Sequence, residues 1–326
     1  MESSRTVKVG VPAWVDSELL AAFPGEAVLE PIDAEPKRTT EIEFWIAPVY
    51  QREAARVFPH LRGVRVVQSL LAGVDWLQPL LPPGITLCDG QGMHNIPTAE
   101  WVIAAILNSL KYFPFYGALQ RDHNWWQRAK ADEQYRAMHG AAKLNFPPIL
   151  QEELYGKRVM IIGYGSIGRS IEERLLPFGV EIVRVARSAR PGVEPVERLL
   201  DLLPTADIVV LIVPQTPETR GMIGEREFAQ MKQGALLVNA ARGPVVETAP
   251  MLAALEKGRI RAALDVTDPE PLPIEHPLWS APNVLITPHV AASSPMALPR
   301  AIAFAAEQVA RYGKGEPLQN VVTGSY

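Results

Sequence analysis

The sequence predicts an α/β protein built from two doubly wound parallel-sheet domains. Short apolar runs alternate with stretches of helical spacing over the first hundred residues, and a second series of the same kind begins at Lys157. Strands that alternate with helices along a chain form parallel sheets, so two successive series indicate two domains of this class. The length of 326 residues agrees with this prediction, because domains average roughly 150 residues.

The first series contains four predicted strands, each bounded by glycine, proline or charged residues. They are Val7–Val11, Glu43–Ala47, Val64–Ser69 and Ile85–Cys88. Helical spacing predicts short helices at Asp16–Ala22 and Gln51–Val57. A longer, largely buried helix is predicted for the apolar run Trp101–Leu110, because a proline and an acidic residue just before it are typical of a helix start.

The second series contains six predicted strands and most of the remaining helices. The strands are Arg158–Ile162, Glu181–Ala186, Ile208–Val213, Ala235–Asn239, Arg261–Val266 and Val284–Thr287. The helices are Ser166–Phe178, Val196–Leu203, Glu225–Met231, Ala249–Gly258 and Met296–Tyr312. Between the two series, the charged segment Lys111–Glu153, which includes Phe146-Pro147-Pro148, is predicted to be irregular. The pair Trp125-Trp126 within it is interpreted as packing or interface residues rather than a ligand site.

Composition and charge exclude several classes of function. Hydrophobic residues make up 48% and charged residues 21% of the chain, which excludes a mainly disordered protein. A net charge of −4 without a basic run argues against nucleic acid as a partner. A lone cysteine, Cys88, excludes an intramolecular disulfide and favours a reducing compartment. With no long apolar stretch and a polar opening, we expect a soluble, cytoplasmic protein without a membrane partner.

A glycine-rich segment predicts a dinucleotide site. It reads Gly163-Tyr164-Gly165-Ser166-Ile167-Gly168, and it lies between a predicted strand and a predicted helix. The first glycine permits a tight turn, the second lets a pyrophosphate approach the backbone, and the third lets helix and strand pack closely. The helix N-terminus then offers free N–H groups and a positive dipole end to the phosphates.

The next strand predicts which dinucleotide is preferred. NAD sites usually carry an acidic residue at the end of this strand, where it binds the ribose 2′-hydroxyl. Here no acidic residue occurs between Glu181 and Glu194, and the strand is followed by Arg187, Ser188 and Arg190. Arginines and a hydroxyl would bind a 2′-phosphate that a carboxylate would repel. The sequence therefore predicts NADP as the preferred cofactor, with NAD as the other candidate.

Three segments at predicted strand ends carry groups suited to catalysis. Arg242 follows one strand, Glu270 the next, and His289 the last. Open α/β sheets bind ligands at the carboxyl ends of their strands, so all three would face the cofactor. Arginine can grip a carboxylate, and histidine beside a carboxylate can exchange a proton near neutral pH. The other histidines show no metal-ligand spacing, so no metal site is predicted; they are His60, His94, His123, His139 and His276.

These motifs, in this order, resemble the D-2-hydroxyacid dehydrogenase family over nearly the whole chain. The matching segments are Gly163–Gly168, Val213–Gly221, Asn239–Gly243, Glu270–Pro273, Thr287–His289, Ala72–Asp75 and Ala99-Glu100. The resemblance implies two Rossmann-like domains with the active site in the cleft between them. It implies a substrate domain of residues 1–101 plus 294–326 and a dinucleotide-binding domain of residues 102–293.

The resemblance also implies the roles of individual residues. Arg242, Glu270 and His289 would be catalytic, with His289 protonating the developing alkoxide and Glu270 orienting it. The substrate would contact Ala72, Gly73 and Arg242. Trp45 would either lie over the substrate or belong to the core. The cofactor would contact Gly163, Gly165, Ser166, Ile167, Gly168, Arg187, Ser188, Arg190, Val213, Pro214, Thr219, Ala240, Ala241, Arg242, Asp265, His289 and Ala291.

The activity implied is hydride transfer between a nicotinamide cofactor and a small 2-keto acid or D-2-hydroxy acid. The Arg187–Arg190 loop is similar to that of NADPH-preferring glyoxylate/hydroxypyruvate reductases, which favours reduction. The resemblance further implies a homodimer, for which Trp125 and Trp126 are candidate interface residues. Two alternatives stay open: a formate dehydrogenase-like enzyme, disfavoured because that branch pairs its histidine with glutamine, and a non-catalytic, dinucleotide-sensing protein similar to corepressors that share the fold.

Overall fold

A computed structural model of the chain describes residues 5–139 and 151–323. The chain divides into two compact units, Met1–Asn95 with Ser293–Tyr326, and Ile96–Ala292. The chain therefore passes from the first unit to the second and back, as the resemblance implies. The first boundary falls at Asn95 rather than at residue 101, and Asn95 is also the residue at which the long helix Asn95–Leu110 begins.

The strands and helices are numbered in chain order. The strands are β1 (Val7–Pro12), β2 (Ala27–Ile32), β3 (Thr40–Glu41), β4 (Phe44–Ala47), β5 (Leu61–Arg62), β6 (Val66–Ser69), β7 (Thr86–Cys88), β8 (Arg158–Ile162), β9 (Glu181–Ala186), β10 (Glu194–Pro195), β11 (Ile208–Leu211), β12 (Ala235–Asn239), β13 (Ile260–Leu264) and β14 (Val284–Ile286). The α-helices are α1 (Ser17–Leu20), α2 (Gln51–Val57), α3 (Asn95–Leu110), α4 (Phe113–Arg121), α5 (Lys130–His139), α6 (Ser166–Leu175), α7 (Leu199–Leu202), α8 (Glu225–Gln230), α9 (Thr248–Glu256) and α10 (Ala297–Lys314). Short 3₁₀ segments occupy Phe58–His60, Gln78–Leu80, Trp126–Ala129, Leu176–Phe178, Val196–Arg198, Leu203–Thr205, Gly243–Val245 and Pro277–Ser280.

The first unit is a five-stranded parallel sheet in the order β2-β1-β4-β6-β7. Residues of α10 pack with β1 in one apolar cluster, and residues of α2 pack in a second cluster with β4. The four strands that the sequence predicts are present. The edge strand β2 was missed, because Pro31 interrupts its apolar pattern; proline is tolerated in a strand at the edge of a sheet.

The second unit is a seven-stranded sheet in the order β10-β9-β8-β11-β12-β13-β14, with parallel pairing throughout. The predictions for β8, β9 and β12 are confirmed residue for residue. The central strand β11 is buried along its whole length, and apolar clusters cover both faces of the sheet. This is the doubly wound arrangement that the sequence predicts.

The prediction of irregular structure over residues 111–153 is wrong for the part that the structure describes. Helix α4, a 3₁₀ segment and helix α5 occupy most of residues 113–139, with Pro114 in the first turn of α4. Buried Tyr112 and Ala131 hold these helices together. Trp125 and Trp126 are 69% and 86% exposed, so they are not packing residues of this chain. The sequence Phe146-Pro147-Pro148 lies outside the described residues.

Within residues 5–139 and 151–323, no single helix combines the length and the apolar character needed to cross a membrane. The pair α3 and α4 passes that test only when taken together, with a bend of 69° between them.

Candidate active site

The three candidate catalytic residues follow three neighbouring strands of the second unit. Arg242 comes just after β12, Glu270 comes after β13, and His289 comes after β14. These strands lie side by side and run parallel, so their carboxyl ends meet at one edge of the sheet. The structure therefore brings together three groups that are 28 or 19 positions apart in the chain (242 to 270, and 270 to 289).

Glu270 and His289 form a direct pair. Oε1 of Glu270 lies 2.6 Å from Nδ1 of His289, and the side chains are 40% and 47% exposed. The hydrogen bond to Glu270 raises the pKa of His289 above its usual range, although burial and the nearby Arg242 charge act against it. The same bond lowers the pKa of Glu270. The pair favours imidazolium and carboxylate, and because Nδ1 is engaged, Nε2 is the nitrogen available to a ligand.

Asp265 anchors the loop that carries His289. Its buried carboxylate accepts hydrogen bonds from the Thr287 hydroxyl at 2.6 Å and from the backbone amides of Val290 at 2.8 Å and Ala291 at 2.7 Å. Its backbone oxygen also accepts from the amide of His289 at 2.8 Å. Both carboxylate oxygens thus accept hydrogen bonds and the residue is 3% exposed; the contact of Asp265 with the cofactor stays a prediction. Ala291 is another predicted cofactor contact, and its backbone amide donates to this carboxylate.

His289 needs this anchor because its backbone is unusual. Its φ is +54°, in the left-handed region that residues other than glycine rarely adopt. Such a conformation persists only where surrounding contacts over-determine it. The four hydrogen bonds to Asp265 supply those contacts and fix the direction of the imidazole.

Arg242 stands at the end of a tightly packed turn. The side chain of Asn239 closes the turn, accepting from the amide of Ala241 at 3.0 Å and donating to the carbonyl of Arg242 at 3.2 Å. A Cβ at Gly243 would lie 1.9 Å from the Thr267 carbonyl oxygen, so only glycine fits there. The positive charge of Arg242 acts to lower the pKa of both Glu270 and His289, so the guanidinium is within electrostatic reach of the pair. An arginine there can bind a ligand carboxylate.

The glycine-rich turn fits a dinucleotide. Gly163 has a φ of +103°, and a Cβ there would lie 2.3 Å from the carbonyl oxygen of Ile212. A Cβ at Gly168 would lie 2.7 Å from the Gly163 oxygen, whereas a Cβ at Gly165 would meet nothing within 4 Å. Two glycines are therefore required by packing, and the third leaves open space before Ser166 and Ile167 in the first turn of α6. These residues fit a pyrophosphate held by the helix N-terminus.

The segment after β9 carries the three residues that are predicted to bind the 2′-phosphate of NADP. Arg187, Ser188 and Arg190 are all exposed. Arg190 donates to the carbonyl oxygen of Tyr164, inside the glycine-rich turn, so the arginine lies against the dinucleotide loop. The side chains present at this position are those that suit a 2′-phosphate.

The hydroxyl of Thr219 forms hydrogen bonds within the loop after β11. The hydroxyl of Thr219 donates to the carbonyl of Pro214 at 2.7 Å and accepts from the amide of Thr216 at 2.8 Å. Thr219 is 9% exposed, and its contact with the cofactor stays a prediction. The structure gives it the role of shaping the loop that begins at Val213 and Pro214. The predictions for Val213, Pro214, Ala240 and Ala241 stay predictions.

The predicted substrate residues of the first unit divide into two kinds. Ala72 and Gly73 lie in the turn after β6, where parallel strands end, and their contact with substrate stays a prediction. Trp45 is 1% exposed and packs against Phe58 with ring centroids 5.6 Å apart in the unit core. This burial favours the interpretation of Trp45 as a core residue, and its contact with substrate stays a prediction.

Some functional contacts escaped the sequence reasoning. Trp101 of α3 donates its Nε1–H to the Thr287 hydroxyl at 3.1 Å, which extends the Asp265 network by one residue. Tyr164 contacts Glu172 and Arg184 as well as Arg190. A polar residue inside an apolar strand, such as Arg184 in β9, was the only available signal of this second network.

Comparison with known proteins places the chain in a family. The model for the NAD-binding domain of D-isomer specific 2-hydroxyacid dehydrogenases matches residues 103–291. A glyoxylate reductase of Aeropyrum pernix is 33% identical over 267 residues, which cover 79% of this chain and 76% of that enzyme. A D-3-phosphoglycerate dehydrogenase of Mycobacterium bovis is 33% identical over 321 residues, covering 95% of this chain.

The D-3-phosphoglycerate dehydrogenases in this comparison are longer than this chain. The chain spans only 34% to 54% of the length of the D-3-phosphoglycerate dehydrogenases it matches. A solved NADPH-dependent glyoxylate/hydroxypyruvate reductase of Sinorhizobium meliloti, in complex with NADP and sulfate, is 29% identical with a TM-score of 0.76. That alignment covers 97% of each chain. The family match over more than half of the sequence agrees with the site geometry: this chain belongs to the D-isomer specific 2-hydroxyacid dehydrogenases.

Proposed function

We propose that this chain reduces a small 2-keto acid to a D-2-hydroxy acid and prefers NADPH, in the manner of glyoxylate/hydroxypyruvate reductases. The observation that carries the proposal is the pairing of Glu270 with Nδ1 of His289 at 2.6 Å, beside the charge of Arg242. The basic segment after β9 supports the cofactor preference. The similarity to glyoxylate reductases supports the substrate class.

The residues divide the chemical work. The guanidinium of Arg242 binds the substrate carboxylate, and the amides of Ala72 and Gly73 bind substrate oxygens. His289 donates the proton on Nε2 to the C2 oxygen, and Glu270 keeps the imidazole charged and correctly oriented until that transfer. The Gly163–Gly168 turn holds the dinucleotide, which supplies the hydride to C2 when bound.

The rate of reduction should fall as pH rises through the pKa of His289. Glu270 raises that pKa, so the imidazolium persists to higher pH and is lost on the alkaline side. Oxidation of the hydroxy acid needs neutral imidazole and should rise over the same range. In Glu270→Gln the carboxylate is gone, and the alkaline limb should move to lower pH. Profiles of kcat/KM against pH for both proteins check this; an unmoved limb, with chemistry shown to limit the rate, contradicts the pairing.

NADPH should be used at least about tenfold more efficiently than NADH. Each hydrogen bond from an arginine to the 2′-phosphate contributes roughly 1.5–3 kcal/mol, and 1.36 kcal/mol is about tenfold. Arg187→Ala should reduce kcat/KM with NADPH and leave that with NADH nearly unchanged. Exposed Arg198 on the neighbouring segment, paired with Glu194 at 2.6 Å, offers a control substitution. Equal efficiency with both cofactors in the unmodified protein would refute the preference.

A set of 2-keto acids, assayed with NADPH and NADH, tests the proposed activity. Glyoxylate, hydroxypyruvate, phenylpyruvate and branched keto acids cover the range of substrate sizes. We expect reduction of at least one of them with NADPH. Cofactor binding without reduction of any keto acid would favour the alternative of a dinucleotide-sensing protein. Oxidation of formate would favour the alternative of a formate dehydrogenase-like enzyme.

We further propose that the protein acts in the cytoplasm as a homodimer. The single, buried Cys88 supports a reducing compartment. Exposed Trp125 and Trp126 support an interface, because aromatic side chains are enriched at subunit contacts. Light scattering at micromolar concentration should give twice the 35.9 kDa chain mass. Trp126→Glu should shift this mass toward the monomer, and a monomer mass for the unmodified protein would refute the dimer.

A further inference from the structure

Tyr164 is the residue between the first two glycines of the dinucleotide turn, and it contacts three charged residues. Its hydroxyl donates to the carboxylate of Glu172, a 6% exposed residue of α6. The guanidinium carbon of Arg184, on β9, lies 5.6 Å from the centroid of its ring. That of Arg190, in the segment after β9, lies 5.9 Å from the same centroid.

The inner part of this network is a firm support for the ring. Arg184 donates through Nε to Glu172 at 2.8 Å and pairs with the same carboxylate through its second nitrogen. The paired arginine lowers the pKa of Glu172, so the carboxylate stays charged. The backbone amide of Tyr164 donates to the carbonyl of Val185 at 3.1 Å. Both ends of Tyr164 are therefore tied to α6 and β9, the elements that build the cofactor site.

The outer part of the network is Arg190, which lies in the turn between β9 and β10. A two-residue bridge between Arg190 and Val193 closes the turn, and the side chain of Arg190 is exposed. Among the described residues, Arg190 meets Tyr164 twice: it donates to the Tyr164 carbonyl, and its guanidinium lies near the ring. A guanidinium has five N–H donors, so these contacts leave donors for a ligand.

We propose that Tyr164 is a positioning residue for cofactor selection, which holds the Arg190 guanidinium where it can bind the 2′-phosphate of NADPH. The inference rests on the proposed function, since it assumes that Arg190 meets this phosphate. Holding a long, flexible side chain in its bound arrangement strengthens binding by reducing the entropy lost on association. Removal of the ring should therefore weaken recognition of the 2′-phosphate and leave binding of the rest of the nucleotide unchanged.

Calorimetric binding of two nucleotides to the whole protein separates this role from general damage to the site. The probes are 2′,5′-ADP, which carries the 2′-phosphate, and 5′-AMP, which lacks it. Tyr164→Leu should weaken 2′,5′-ADP binding by about two- to fivefold, the equivalent of an exposed cation–π contact, and leave 5′-AMP binding unchanged. Tyr164→Phe keeps the ring and loses only the bond to Glu172, so its effect should be smaller.

A double-mutant cycle with Arg190→Ala tests whether Tyr164 acts through Arg190. In the Arg190→Ala background, Tyr164→Leu should not weaken 2′,5′-ADP binding further. An equal loss for both nucleotides, or a loss that persists in that background, overturns the inference and leaves the proposed function intact. If Arg190→Ala alone leaves 2′,5′-ADP binding unchanged, the phosphate contact in the proposed function fails, and the inference fails with it.

Discussion

Replacement of His289 by alanine should lower kcat for keto-acid reduction by about 10²–10⁴-fold, the usual contribution of a general acid. The substitution removes the proton donor, while the Gly163–Gly168 turn and the basic segment after β9 remain. Cofactor affinity should therefore stay close to that of the unmodified protein. Steady-state kinetics together with NADPH titration measure the two quantities separately.

His123→Ala is the matched control for this experiment. His123 is also exposed and has a positive φ of 51°, yet it lies on the segment after α4, away from the strand ends. The His123→Ala substitution should leave kcat unchanged. A His289→Ala protein that retains kcat within a few-fold of the unmodified enzyme would show that another group supplies the proton.

Asp265→Asn should lower both stability and turnover, although Asp265 would not touch the substrate. Asparagine has one acceptor oxygen where the carboxylate has two, and its NH₂ group would face an amide that now donates to Asp265. Loss of a buried hydrogen bond to a charged group costs roughly 1.5–3 kcal/mol of unfolding free energy. His289 would lose the anchor of its left-handed backbone, and small misplacements of catalytic groups can reduce rates about 10²-fold.

Denaturant unfolding and kcat, measured on the same preparation, check both effects. Asp201→Asn, on the exposed side of α7, is the control and should change neither quantity. If Asp265→Asn destabilised the fold but left kcat unchanged, Asp265 would be a structural residue only. An unchanged unfolding free energy would contradict the hydrogen bonds described above.

The sequence predicts most of the fold because local pattern and tertiary position agree in this chain. Strands such as β8 and β12 are continuous apolar runs, as expected of strands buried on both faces of a parallel sheet. Prediction fails where they disagree. Pro31 hides the edge strand β2. The charges of residues 111–139 and Pro114 hide α4 and α5, which pack around a small aromatic cluster.

Some residues of the site could likewise be predicted from the sequence and others could not. Arg242, Glu270 and His289 could be predicted because the ends of neighbouring parallel strands must meet. The surroundings of Trp45 and Asp265 could not be predicted, because they depend on burial: Trp45 lies in a core, and both carboxylate oxygens of Asp265 accept hydrogen bonds. The Tyr164 network links a turn, a helix and a strand, and no spacing in the sequence shows that these side chains meet.

The most direct test of the proposed activity is the yield of product for each cofactor molecule consumed. The purified protein is incubated with NADPH and the best keto acid of the set other than glyoxylate, whose product has no stereocentre. The hydroxy acid is separated by chiral chromatography. We expect one D-2-hydroxy acid to form for each NADPH oxidised. NADPH bound without formation of any hydroxy acid, or formation of the L isomer, would contradict this expectation.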